Sequence, residues 1–228
     1  MSSWLVPLVI LNVTAGLALE AYGAGRGWHW AELTVGALTA AHFAYHLARP
    51  PVIAGTRIGR DTLLWCLGLA TAGELVLSAV WELYTYRASV LPLFVPPGHV
   101  LLFLAGLSIS HYERCARSVA ILVPAAAAAP LIYAVTNGTD FLSVPLFAIF
   151  LACLALGRDP KLYAVMFVLA LGLELYGTAL GAWSWAEDVR GLGLPSANPP
   201  LAAGVFYAVL DLLTVRLTRK AQPAASRA

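Results

Sequence analysis

The sequence predicts an all-α fold, a polytopic transmembrane helical bundle of about eight spans, and three observations carry that expectation. Of the 228 residues 60% are hydrophobic and 11% charged, with mean hydropathy +0.78, which is far too apolar for an ordinary water-soluble domain. The apolar residues run together in stretches of about 20, the length a helix needs to cross a hydrocarbon core about 30 Å thick, without the alternation of barrel strands. Finally, the basic residues divide unevenly between the connecting loops.

The first span is expected near 4–21, where MSSWLVPLVILNVTAGLALE lacks a basic leader and so reads as a retained helix rather than a cleaved signal peptide. The second and third fall near 31–48 and 62–83. The fourth, near 96–110, opens on Pro96-Pro97, and proline suits a first helical turn. The fifth and sixth lie near 118–136 and 141–157, and the fourth and sixth are the shortest. The seventh covers 162–181. The eighth, near 199–216, opens on Asn198-Pro199-Pro200 with Asn198 in an N-cap position. Residues 1–218 thus form one transmembrane domain, and 219–228 are expected to be a disordered cytoplasmic tail.

Arg49, Arg57, Arg60, Arg114, Arg117, Arg158, Lys161, Arg216, Arg219, Lys220 and Arg227 share one set of loops and tails; Arg26, Arg87 and Arg190 occupy the other. The positive-inside rule makes the first set cytoplasmic, with both termini inside and an even number of spans. A net charge of +2 without a basic patch argues against nucleic-acid binding. Cys66, Cys115 and Cys153 lack metal spacing and read as free thiols. Low lysine with high arginine and alanine suggests a GC-rich bacterial source, hence a bacterial cell membrane.

A pattern recurs. Glu20-Ala-Tyr-Gly leads to Trp28-His-Trp30, and Glu174-Leu-Tyr-Gly leads to Trp183-Ser-Trp185. A looser copy has Glu74, then Trp81-Glu82-Leu83-Tyr84, then Pro96-Pro97-Gly98-His99. This suggests a repeated helical hairpin, with the first and seventh spans as counterparts. The W-x-W pairs read either as interfacial aromatics or as the lining of a cavity in which their faces stabilise a cation.

Ionisable groups deep in lipid are costly and functional by default, which singles out Glu74, Glu174, Asp211 and His42. At about 1.5 Å per residue, Asp211 and His42 lie roughly 16–18 Å below one face, and Glu74 and Glu174 about 10–14 Å, so all could share a site. Glu82 reads as an interfacial ion pair near Arg87. Carboxyls in an apolar cavity can serve as proton donors, with a second carboxylate or a tyrosine taking the proton back. No G-x-S-x-G or phosphate loop occurs, so nucleophilic catalysis is disfavoured. Metal chemistry is a competing reading in which His42 and His46, four residues apart, would need Glu74, Glu174, Asp211 or His99 to complete a site.

The run Glu174-x-Tyr-Gly, Gly181-x-Trp183-x-Trp185, Gly191 to Pro195 and Pro199-Pro200 resembles carotenoid-pathway membrane enzymes, the small lycopene cyclases and carotenoid hydratases, over about a fifth of the chain. Trp81-Glu82-Leu83-Tyr84 and Asp211 more faintly resemble the fungal membrane terpene cyclases. The chain departs from the lycopene cyclases where Asn198-Pro199-Pro200 replaces a paired acidic motif. The resemblance implies chemistry on an isoprenoid.

The expectation is therefore a membrane enzyme, a lyase or isomerase, that cyclises or hydrates a lipid-soluble isoprenoid by acid initiation. Glu74, Glu174 and Asp211 are its candidate catalytic groups. Trp81, Tyr84, Trp183, Trp185, Tyr207, His42 and His99 are its candidate substrate contacts, and no cofactor or metal is invoked. The alternative is a proton-coupled transporter or lipid-binding membrane protein using the same carboxyls.

Overall fold

The computed structural model describes residues 4–221 and is predominantly helical. The eight α-helices among these residues are α1 (Leu5–Ala24), α2 (Trp30–Ala48), α3 (Arg60–Glu74), α4 (Val95–Ser110), α5 (Val119–Thr136), α6 (Ser143–Leu156), α7 (Pro160–Ala179) and α8 (Val205–Ala221). Two small antiparallel strand pairs interrupt them: β1 (Val52–Ile53) with β2 (Thr56–Arg57), and β3 (Tyr84–Tyr86) with β4 (Trp183–Trp185). Four helical stretches are long and apolar enough to cross a membrane: Leu5–Ala24, Arg60–Val80, Val119–Thr136 and Pro160–Ala179. α4 and α6 are shorter apolar helices.

Helix ends follow local chemistry. Pro160 begins α7, and the Asp159 side chain accepts from the Leu162 amide at 3.2 Å, a proline-plus-cap start. Pro96 and Pro97 occupy the first turn of α4 as expected. The third span differs from an unbroken α-helix, because α3 passes at Glu74 into a π-helical stretch, Leu75–Val80. The wider turn changes which side chains face inward immediately beyond Glu74.

The eighth span also departs from expectation. α8 begins at Val205, after the turns at 201–204, so Asn198 is no N-cap. Its Oδ1 accepts instead from the Trp185 amide at 3.0 Å, tying the approach to α8 onto β4. Buried Asp140 accepts from the Leu201 amide at 2.8 Å and from the Ser143 hydroxyl at 2.6 Å, while Ser143 accepts from the Ala202 amide at 3.0 Å. These bonds satisfy backbone donors in the turns that precede α8. α8 continues through Ala221, and the rest of the expected tail, 222–228, lies outside the described residues.

At the centre α3, α4, α7 and α8 form a ring in which each packs on two others: α3 on α4 and α8, and α7 on α4 and α8. α1 and α2 lie against α4, whereas α5 and α6 lie against α7, with α6 also touching α8. α4 is enclosed on nearly all sides. The α7–α8 crossing is close at Gly204, where a Cβ would stand 2.2 Å from the Phe167 carbonyl oxygen. The periphery is apolar outward, as at Ile121, Ile132 and Tyr133 of α5, a surface suited to lipid.

Candidate active site

The third and seventh helices, not the first and seventh, are the counterparts at the centre. Each carries an inward carboxyl, Glu74 on α3 and Glu174 on α7, and each is followed by a short strand with an aromatic-x-aromatic pattern. The two strands pair antiparallel, with Tyr84 opposite Trp185 and Tyr86 opposite Trp183. Because successive strand residues point to opposite faces, the two aromatics of each strand share a face and all four face one way. They turn back onto the carboxyls of their own preceding helices.

Glu74 accepts three side-chain hydrogen bonds, from Tyr84 at 2.8 Å and Tyr86 at 2.5 Å onto Oε2, with His99 Nε2 2.8 Å from Oε1. Glu174 accepts two, from the indole nitrogens of Trp183 at 2.7 Å and Trp185 at 3.0 Å. Both reach Oε2, which leaves Oε1 free of these donors. Burial and the Glu74 carboxylate push the Tyr84 and Tyr86 phenols, which lie on β3 beyond the helix, well above their ordinary range. They remain O–H donors.

His99 enters from the second turn of α4, and the opening prolines set that turn at the strand-bearing end. Its ring lies on the Tyr207 ring of α8, 4.3 Å between centroids and 9° between planes. Thus α3, α4, α7, α8 and both strands contribute to one cluster.

Glycine of the E-x-Y-G motif has a packing role. At Gly177 a Cβ would stand 2.0 Å from the Trp183 ring, so only hydrogen there lets the indole fold back to Glu174. Gly23 similarly admits Ala31, with 2.4 Å to its Cβ. The first copy goes no further. Trp28 and Trp30 stack on each other at 5.1 Å, partly or fully exposed, and buried Glu20 pairs with Arg87.

Two spaces meet at the cluster. A cavity of about 530 Å³ is lined by Glu74, Tyr84, His99, Glu174, Trp185 and Tyr207 together with apolar side chains of α3, α6 and α8. Val76, Ile149 and Leu213 on its wall are 53%, 45% and 41% exposed, so it opens sideways on the apolar perimeter. On the opposite side a chamber of about 50 Å³ is bounded by Tyr86, His99, Glu174, Trp183 and Tyr207, and by Asn12 and Thr39 of α1 and α2.

No family model, curated protein or solved structure matches this chain.

Of the sequence candidates, Glu74, Glu174, Tyr84, His99, Trp183, Trp185 and Tyr207 come together here. Trp81 does not: its indole donates to the Arg190 carbonyl at 3.0 Å, away from both spaces. His42 lies with His46 on α2, facing a groove against α1, because the helices carrying them and the carboxyls are not neighbours at that level. Asp211 is fully buried but lines neither space. Glu82 pairs with Arg190 at 3.1 Å rather than with Arg87. No cluster of three or more His, Cys, Asp or Glu placed to hold a metal occurs among the described residues.

The residue missed from sequence is Tyr86. A signal was present: Tyr84-x-Tyr86 follows Glu74 by ten and twelve residues, as Trp183-x-Trp185 follows Glu174 by nine and eleven.

Proposed function

We propose that the chain is an integral membrane enzyme that cyclises or hydrates a lipid-soluble isoprenoid by proton transfer from a carboxyl group. The observation that carries this reading is the end of an apolar, side-opening cavity on two carboxyls with different partners. In this reading all eight helices cross the bilayer, α4 and α6 as short enclosed spans. Both termini and the Arg158, Lys161 and Arg216 end face the cytoplasm of a bacterial cell.

Glu174, held by two neutral indole donors through Oε2, is the acid, and its Oε1 delivers the proton to an alkene carbon. The resulting carbocation lies among the faces of Trp185, Tyr84 and Tyr207, which stabilise positive charge. Glu74 with His99 is the base. In the cyclisation branch the π electrons of a second alkene in the same substrate attack the cation, closing a ring C–C bond and moving the charge to the far alkene carbon. The base then takes a proton from the carbon beside it, giving a cyclised isomer. In the hydration branch it takes a proton from the water that adds to the first cation, giving an alcohol. One proton leaves Glu174 and one arrives at Glu74 and His99, so exchange between them restores the starting state. Water is the only co-reactant in the hydration branch.

The test is mass analysis of lipids from cells with the protein, without it, and with Glu174→Gln. The expected result is an isoprenoid whose appearance or loss needs the protein, with turnover falling by about 10²–10⁴ in the variant. An unchanged lipid profile would overturn the reading, and proton-coupled solute uptake into proteoliposomes would then support transport.

A further inference from the structure

We propose that Asp211 forms a second site, separate from the Glu74–Glu174 cluster: a proton-binding site buried between α3, α7 and α8, which keeps its carboxyl neutral and exchanges with the end of the bundle that carries Arg216. This does not rest on the enzyme reading. It follows from a group for which that reading has no use.

Asp211 is fully buried, and neither of its carboxyl oxygens meets a hydrogen-bond donor among the described residues. Thr214 Oγ1 and the Tyr163 hydroxyl, also fully buried, are likewise without partners among the described residues. Cys66 of α3 stands beside Asp211 and Thr214, and Tyr163 of α7 lies within electrostatic reach. α8 packs on α3, α7 and α6, so the Asp211 carboxyl is enclosed by three neighbouring helices with the Cys66 thiol, the Thr214 hydroxyl and the Tyr163 phenol in its surroundings.

The charge balance decides what the site holds. The titratable groups that α3 and α7 offer nearby are the Cys66 thiol and the Tyr163 phenol, α8 itself adds Tyr207, and Cys153 of α6 lies instead within reach of Arg216. Toward the strand-bearing end lie two more acids, Glu74 and Glu174, and none of these groups is a cation. Arg216, further along α8, is exposed and donates to the Leu156 carbonyl at 3.3 Å. An ionised carboxylate with neither cation nor donor is among the costliest groups to bury, and binding a proton removes that cost. The neutral acid supplies one O–H donor and keeps acceptor capacity for the neighbouring hydroxyls and thiol.

Buried polar side chains continue from Asp211 toward the basic end of α8. Asp211, Thr214 and Thr218 occupy successive turns of one face, all buried, and the Thr218 hydroxyl donates to the Thr214 carbonyl at 2.9 Å. On the other side Tyr207, one turn away, stacks on His99. The proton site therefore lies one turn from a residue of the candidate active site without opening onto its cavities.

The experiment uses the purified full chain in detergent, with infrared absorption and thermal unfolding across about pH 6 to about pH 9. A protonated-carboxyl band that shifts in deuterated water is expected in the native protein and in the Glu74→Gln/Glu174→Gln double variant, and is expected to be lost in Asp211→Asn. A group protonated when folded and ionised when unfolded makes the folded state bind more protons, so the native midpoint falls as pH rises. Asp211→Asn should flatten that slope. Retention of both band and slope in Asp211→Asn would overturn the proposal. A midpoint raised by sodium in the native protein but not in the variant would also overturn it, because the site would then hold a metal cation. If Asp211→Asn does not fold, carboxyl-labelled aspartate in the native chain decides: an isotope-shifted neutral acid band supports the site, and fully ionised aspartates overturn it. Lipid turnover plays no part in these readouts, so a failed enzyme assay leaves them intact.

Discussion

Tyr84 and Trp185 face each other across the β3–β4 pair with ring centroids 4.9 Å apart, yet they donate to different carboxyls, Glu74 and Glu174. The strand pairing thereby sets the positions of two acids borne on separate helices. Displacing one strand should disturb both.

Gly177→Ala is the sharpest probe of that arrangement. The added methyl would stand 2.0 Å from the Trp183 ring, so the indole must leave Glu174. Overpacking of this kind costs about 1–3 kcal/mol. Thermal unfolding should show a lowered midpoint, and lipid turnover should fall more than Gly172→Ala lowers it, since a Cβ at Gly172 meets open space.

Trp185→Phe removes one of the two donors to Glu174 while keeping an aromatic ring opposite Tyr84. The lost hydrogen bond is expected to cost about 1 kcal/mol. Adding Trp183→Phe strips the carboxyl of both indole partners, and the double variant should lose more stability than the two singles summed. Additive effects in a double-mutant cycle would show that the two indoles act independently.

The phenols offer a prediction in pH. Tyr84 and Tyr86 are held above their ordinary value in the folded protein, so the stability they contribute is fully present below about pH 10, the unfolded phenol value. It is lost as pH rises through the folded value. Ultraviolet titration should find the buried tyrosines ionising later than exposed Tyr22, Tyr112 and Tyr133, and Tyr84→Phe/Tyr86→Phe should reduce that late component by two tyrosines. Ionisation of all tyrosines together would refute the assignment.

Access from the apolar perimeter is tested at Leu213, on the cavity wall and 41% exposed. Leu213→Trp places a larger ring in the opening and leaves the hydrogen-bonded cluster untouched. The proposed reaction should show KM rising several-fold with kcat nearly unchanged, as expected when binding but not chemistry is impaired. A fall in kcat at constant KM would place entry elsewhere.

The sequence by itself determined the helical fold class, the helix count among the described residues and the presence of helices apolar enough to cross a membrane. It also singled out the acids that the helices turn inward, because hydropathy and the cost of burying charge act through composition and local spacing. It also carried the motif E-x-Y-G, whose glycine proves to admit a neighbouring side chain at Gly177. What it could not decide was partnership. Depth along a helix put Asp211, His42 and Glu74 at compatible levels, but only the ring of α3, α4, α7 and α8 separates them, leaving His42 in the α1–α2 groove and Asp211 off both cavities. Tyr86 is likewise placed by a strand pairing between segments about a hundred residues apart in sequence, and the late start of α8 goes with bonds to Trp185, Asp140 and Ser143 on other segments. Hydrogen bonds across such distances are selected by tertiary packing, whereas periodicity reports only the helix in which a residue sits.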